Sequence, residues 1–486
     1  MDYQDYDKTD PISIERYSKG MIGKTFREIS DEDDARAKEG GHMLAEAHAS
    51  FGVSDVSAKK RNKGNLGQLI EEKYFHYKCN SDERPDFHEA GVELKVTPYK
   101  ENKNGTVSAK ERLILTMIDY NKVVNETFYH SHLWEKSKLI LLVYYLYVDQ
   151  IKSNLDYEIN YAQLFTPPKE DLKIMEDDFN TIVNKVRDGK AHELSESDTE
   201  YLAAAPKASS SKDRRSQPFS DIPAKPRAFS LKGSYMTYVL RTFVIPGKKT
   251  YDPSREKYER IGLGDGNETF EEHVMGKINA FRGQSVKELA EKFDIDLTTK
   301  PKNLEAMIAY RILGIKGNHA EEFEKAGIVV KSIRIEASGK IKESMSFPTF
   351  KFKELATEIW EDSTFGNYLR ETRFFFVVYK YNDNGELILK GCQFWNIPYE
   401  DMETHVKDVW ERTVNLINGG LKLDIVNGVH KNNFPKISDD PVCHVRPHGR
   451  DSKDVDILPD GRECPKQCFW LNRSYILSQL DDDLKD

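Results

Sequence analysis

Pro85-Asp86-Phe87-His88-Glu89-Ala90-Gly91-Val92-Glu93-Leu94-Lys95-Val96-Thr97-Pro98 is the stretch from which the chain reads outward. Val92, Leu94 and Val96 alternate with Glu93, Lys95 and Thr97. That period predicts a β-strand with its apolar side chains on one face and a carboxylate and an ammonium, two residues apart, on the other. A turn at Gly91 would swing Asp86 towards Glu93. Hard Mg²⁺ takes oxygen ligands and retains waters, so two carboxylates can hold it against a phosphate while a lysine orients or deprotonates an attacking water. The Asp-x6-Glu-x-Lys spacing thus matches metal-assisted phosphodiester hydrolysis. A solvated strand face of alternating charge produces the same spacing, so the rest of the chain has to separate the two readings.

With 486 residues the chain has room for two or three domains, each with its own core. The longest apolar run, residues 139–148, is too short to cross a membrane and reads as a buried strand. The first ten residues are polar and acidic, unlike a signal peptide, and five scattered cysteines fit a reducing compartment; a cytoplasmic protein with no membrane association is expected. A net charge of -9 argues against a purely electrostatic nucleic-acid binder but leaves room for a local basic surface.

A short helix is expected near residues 22–29 and a clearer one over residues 65–77, where Leu66, Leu69, Ile70, Tyr74 and Tyr77 form an apolar stripe. Glu71 lies at the edge of that stripe, either as an exposed helix acid or as a third carboxylate facing Asp86 and Glu93. Further strands are expected at residues 112–118 and 139–148, the latter preceded by Lys136 and Lys138. A helix over residues 171–187 should stop at Gly189. Residues 203–232 read as a basic loop, in which Lys207, Lys212, Arg214, Arg215, Lys225, Arg227 and Lys232 face only Asp213 and Asp221. This is the expected phosphate-binding surface. From residue 246 to 272 the sequence reads as a linker, and Gly262-Leu263-Gly264-Asp265-Gly266 lacks the strand and the last glycine of a dinucleotide fingerprint.

The second half echoes the first. Met21-Ile22-Gly23-Lys24-Thr25-Phe26-Arg27-Glu28-Ile29 returns as Phe281-Arg282-Gly283-Gln284-Ser285-Val286-Lys287-Glu288-Leu289, and the residues from Phe87 to Lys95 return as those from Phe323 to Lys331. The buried strand after Lys138 returns after Arg373, and Phe229, Leu231, Ser234 and Tyr235 return as Phe469, Leu471, Ser474 and Tyr475. Apolar and glycine positions survive in both copies. Glu71, Asp86 and Glu93, however, become Ala309, Glu322 and Val329. A framework kept while two of three carboxylates are lost favours the catalytic reading of the first copy and a binding role for the second.

Pro85-Asp86-Phe87, Ala90-Gly91-Val92-Glu93-Leu94-Lys95, Gly189-Lys190-Ala191-His192-Glu193-Leu194-Ser195, Arg227-Ala228-Phe229-Ser230-Leu231-Lys232 and Cys443-His444-Val445-Arg446-Pro447-His448 carry a family resemblance. The first copy resembles the MutH mismatch-repair endonucleases, and the two-copy chain resembles GATC-cutting type II restriction endonucleases built from tandem MutH-like domains. The resemblance implies an α/β fold of two tandem restriction-endonuclease-like domains, each a mixed central sheet flanked by helices. It implies Mg²⁺-dependent double-strand cleavage 5′ of the G in GATC, with Asp86 and Glu93 binding metal, Lys95 as catalytic lysine and Glu71 as an accessory carboxylate. A further active-site lysine falls on Lys136, with Lys138 as its rival. DNA contacts fall on Lys63 and Lys207, to which the basic loop adds Lys212, Arg214, Arg215, Arg227 and Lys232. The second domain is implied to bind another GATC site as an effector, through a DNA-bridged dimer or loop.

The expected layout is a catalytic domain over residues 1–245, a linker over 246–272 and a degenerate copy over 273–486. Cys443, His444, His448, Cys464 and Cys468 lack the paired spacing of a zinc site, His88 reads as a surface histidine, and no phosphate-cradling Gly-rich loop with Lys-Ser/Thr points to a nucleotide cofactor. A strand-nicking repair enzyme and a catalytically silent GATC-binding protein are the alternatives.

Overall fold

Gly91 has a φ of +65°, a conformation open to glycine, and across its turn Phe87 N donates to Val92 O at 2.9 Å and Val92 N to Phe87 O at 3.2 Å. This tight reversal launches β1 (Glu93–Glu101). β1 pairs antiparallel with β2 (Val107–Ala109) and parallel with β4 (Ile140–Leu146), Glu93 opposite Ile140; β4 pairs antiparallel with β5 (Ile159–Phe165). The sheet order is β2-β1-β4-β5. β4 is buried from Ile140 to Tyr145, as its unbroken apolar run requires of a central strand. Leu141 and Val143 pack with Val92, Leu94, Ile70, Phe75 and Phe87.

The computed structural model describes residues 6–39, 64–77, 84–102, 105–148, 150–208, 210, 212–249, 259–264, 268–299, 301, 303–426, 429–451 and 453–486. The first expected helix begins at Phe26 and continues to Glu39. The second is an α-helix over Gly64–Leu69 that continues as a π-helical turn, Ile70–Tyr74. The helix Leu172–Arg187 closes at Gly189, whose φ is +71°.

The loop expected over residues 203–232 is mostly strand. β3 (Leu113–Met117), β9 (Arg227–Leu231) and β6 (Leu202–Pro206) form a second sheet in the order β3-β9-β6, and β7 (Arg215–Gln217) and β8 (Ser220–Ala224) form a hairpin. The cause is burial of small residues. Ala203, Ala204 and Ala205 pair with Ser230, Phe229 and Ala228, and intervening charges and prolines hide these short runs from a periodicity search.

Two compact units divide the chain, one of residues Met1–Lys257 with Glu324–Ala326, the other of Tyr258–Phe323 with Gly327–Asp486. In the second, β10 (Ile328–Ile335) pairs parallel with β12 (Arg373–Tyr381), and β12 pairs antiparallel with β13 (Leu387–Trp395). β11 (Met345–Ser346), β19 (Gln467–Leu471) and β16 (Cys443–Pro447) form a sheet ordered β11-β19-β16, beside the hairpins β14 (Leu423–Val426) with β15 (Val429–Asn432) and β17 (Val455–Ile457) with β18 (Glu463–Pro465). Gly327 has a φ of +69°, as Gly91 has +65° at the position the sequence pairs with it, and Gly23 and Gly283 both have +84°. Gly23 N donates to Ile159 O at 2.8 Å, and Gly283 N to Leu389 O at 2.9 Å. Both units are mixed α/β. Among the described residues no helix is long and apolar enough to cross a membrane.

Candidate active site

Glu93 is the first residue of β1 and only 3% exposed, yet it is surrounded by charge. Lys95, two residues along the same face, donates from Nζ to Glu93 Oε1 at 2.8 Å. Lys136, from the short helix His132–Ser137, places Nζ 3.1 Å from Glu93 Oε2. Lys138 instead lies beside Gly91 and lines an open cleft of about 520 Å³ together with Arg84, Tyr129, His130, His132 and Trp134. The geometry therefore brings Lys136, rather than Lys138, to Glu93.

The Gly91 turn returns Asp86 to the start of β1, where Asp86 Oδ2 accepts a hydrogen bond from Leu94 N at 2.8 Å. Burial, and next the negative charge of Glu93, push the Asp86 carboxyl up to about 7; Glu71 adds to the rise, while Leu94 N–H and Lys95 oppose it. Glu71 sits half-buried in the π-helical turn, close enough to be felt by Asp86.

A divalent cation fits this arrangement. Glu93 Oε2 is buried and its contact with the Lys136 ammonium at 3.1 Å is not a hydrogen bond, and the negative charge of Glu93 still raises the Asp86 carboxyl despite Lys95, which leaves room for a further cation between the two carboxylates. No group of three or more His, Cys, Asp or Glu side chains placed to hold a metal occurs among the described residues. A pair of carboxylates suits a hard ion that keeps several waters. Among the described residues Cys443, His444, His448, Cys464 and Cys468 do not come together as such a group, and His88 is exposed.

The basic residues divide. Lys207, Arg214 and Arg215 line a cleft of about 300 Å³ with Pro226, and Lys212 is exposed nearby in sequence. Arg227 and Lys232 are turned inward, 8% and 5% exposed. Arg227 Nη1 donates to Ala204 O at 2.5 Å and Lys232 Nζ to Thr199 O, so in this structure both brace the second sheet instead of offering a surface charge. Their positions in buried β9 and at its end account for this; a charge count carries no information on direction. Lys63 lies outside the described residues. Sequence reasoning missed the β7–β8 hairpin and its anchor Gln217, for which the only signal was the Gly189–Ser195 motif.

In the second unit Val329 pairs with Phe374, one residue into β10, where Glu93 opens β1 opposite Ile140. Glu322, 1% exposed, accepts hydrogen bonds from Arg260 Nε at 3.2 Å, Ile261 N at 3.1 Å and Gly262 N at 3.2 Å. Lys331 is half-buried, and desolvation lowers its pKa.

Residues 75–178 match the family described as DNA mismatch repair enzyme MutH. The chain is 38% identical over 465 residues to the type II restriction enzyme Sau3AI of Staphylococcus aureus, spanning 87% of this chain and 93% of that enzyme. The chain belongs to the Sau3AI family of MutH-type endonucleases. DNA mismatch repair protein MutH of Shewanella baltica (strain OS155) is 28% identical over 203 residues, 41% of this chain and 88% of that protein. That of Shewanella woodyi is 28% identical over 189 residues, 37% and 77% respectively. As a Sau3AI-family endonuclease the protein is a type II site-specific deoxyribonuclease, DNA is its substrate, and its class uses divalent metal ions. Asp86, Glu93, Lys95 and Lys136 all fall inside the MutH match; Glu71 and the basic cleft fall outside it.

Proposed function

We propose that the protein cuts both strands of duplex DNA at GATC, 5′ of the G, using Mg²⁺ held by Asp86 and Glu93. The observation that carries this reading is the buried Glu93 carboxylate, contacted by two lysines, beside a second carboxylate whose pKa is pushed up to about 7. The bound ion would supply positive charge to the phosphate under attack. Lys95 orients the attacking water, Lys136 holds Glu93 in place, and Glu71 serves as the accessory carboxylate. Lys207, Lys212, Arg214 and Arg215 take backbone phosphates, which position the duplex without reading its sequence. Arg227 and Lys232 hold the strands beneath them. A contact from Lys63, and GATC as the site, rest on the family resemblance.

We infer also that the second unit is a degenerate MutH-like copy that binds a further GATC site as an effector. The repeated strand order, the matched glycines and the loss of Glu71 and Glu93 at Ala309 and Val329 support this. Cleavage of two-site DNA through a DNA-bridged dimer or loop would then outpace that of one-site DNA.

Incubation of supercoiled plasmid with Mg²⁺, followed by sequencing of the ends, tests the main reading. Linear products with ends at GATC are expected, and Glu93→Ala should slow cutting about a hundred-fold or more. Inert wild type, or an equally active Glu93→Ala, would overturn it. Arrest at the open-circle form would favour the nicking activity of repair enzymes, the alternative favoured by MutH matches confined to part of the chain.

A further inference from the structure

Phe219 and Ile222 are 60% and 53% exposed, the two most exposed large apolar side chains described in the first unit, and both belong to the β7–β8 hairpin. Gln217 pairs with Ser220, so Pro218 and Phe219 form its two-residue tip. A hairpin of this size on its own is marginal in water, but this one is bolted down. Gln217 is buried: its Nε2 donates to Ile222 O at 2.6 Å and lies 3.1 Å from His192 Nδ1, while its Oε1 accepts from Ala191 N at 2.9 Å. The backbone of the tip presses against Gly189, where a Cβ would stand 2.5 Å from Phe219 O. The Gly189–Ser195 motif, which the cutting chemistry leaves unexplained, thus acts as the mount of the hairpin.

At the hairpin's other end Arg215 pairs with Ala224, and Lys207, Arg214 and Arg215 surround the basic cleft. The element therefore runs from a cationic base to an apolar tip. Arg215 and Phe219 are four residue steps apart, at most about 13 Å along the chain. The grooves of B-DNA are about 7.5–8.5 Å deep, so a hairpin whose base sits at the phosphates has the length to bring its tip to the bases.

We propose that the β7–β8 hairpin is a finger that enters a groove of the bound duplex, Phe219 and Ile222 packing on bases while the cations at its base take phosphates. The proposal rests on the reading of that cleft as DNA-facing. An exposed aromatic on a braced mount, beside three cations, fits an apolar contact to thymine methyl groups or to a partly unstacked base step.

The test is fluorescence anisotropy with a labelled duplex containing one GATC, in Ca²⁺, over a series of salt concentrations. Phe219→Ala should weaken binding about ten-fold while leaving the slope of log Kd against log salt unchanged, as loss of a base contact does; Arg215→Ala should reduce that slope by about one. Phe219→Trp should retain affinity, and its added emission should change when duplex is bound. Because the side chain is exposed, none of these variants should unfold the protein. Unchanged affinity of Phe219→Ala, an altered salt slope, or Phe219→Trp emission indifferent to DNA each overturns the finger. So does a change in oligomeric state of Phe219→Ala with DNA affinity intact, which would make the tip a protein contact. If the wild type fails to bind the duplex, the DNA-facing reading falls with it; if the wild type binds and Phe219→Ala binds equally, only the finger falls.

Discussion

Asp86 is held in a state the metal-free protein tolerates poorly. Its carboxyl is raised from an ordinary 3.8 to about 7, so the folded chain holds this proton more tightly than the unfolded one does. The contribution to stability is therefore unfavourable and grows as pH rises from about 4 to 7, levelling above that. Metal-free Asp86→Asn, which keeps an acceptor for Leu94 N–H, is expected to melt no lower than wild type at pH 8 and to lose this advantage near pH 4, while failing to cut DNA. Calorimetry across that range checks it; a variant much less stable at pH 8 would contradict the argument. With Asp86 holding Mg²⁺ as proposed, protons and the ion would compete for its carboxylate, so cleavage should rise through about pH 7 and the midpoint should move to lower pH as Mg²⁺ is increased. A midpoint indifferent to Mg²⁺ would remove Asp86 from the metal site. Asp86, Glu93 and Lys95 were legible because a turn and a period of two place them within ten residues of sequence. Lys136 was not separable from Lys138, since it arrives from a helix some forty residues away and spacing does not fix which side of that helix faces β1.

The helix that delivers Lys136 has one and a half turns and depends on its cap. Ser131, 5% exposed, accepts Trp134 N–H at 3.0 Å and donates to Phe128 O at 2.6 Å. Ser131→Ala should cost about 1 kcal/mol and, by loosening the helix under Lys136, lower kcat more than it changes KM. Thermal melting and steady-state kinetics together test this, and a loss confined to KM would argue that the helix serves substrate binding instead. Long elements were readable in the sequence, the buried β4 and the helix Leu172–Arg187 above all. Of the second sheet only β3 was readable, within the strand expected over residues 112–118; β6 is a five-residue run of mostly small side chains without alternation, β9 is equally short, and their flanking charges suggested a loop.

Across the whole chain, the apolar and glycine echoes raised the expectation of two similar halves, but sequence did not disclose what Glu322, the position paired with Asp86, would contact. In the second unit Glu322 is tied to the backbone amides of Ile261 and Gly262 and to the Arg260 guanidinium. Glu322→Ala should destabilise that unit by about 1–3 kcal/mol, seen as a lowered second transition in calorimetry, while cleavage of one-site DNA continues. Loss of one-site cleavage would instead tie Glu322 to catalysis.

The recurring order of β1-β4-β5 and β10-β12-β13 also poses a problem during synthesis. An unfolded chain holding two central strands of like topology offers β1 a wrong parallel partner, β12, as well as β4. Such exchange is intramolecular, so dilution would not prevent it, and refolding yield from denaturant should be insensitive to protein concentration. Emergence of the first unit before the second exists is the simplest protection, because each sheet then closes before its rival is made.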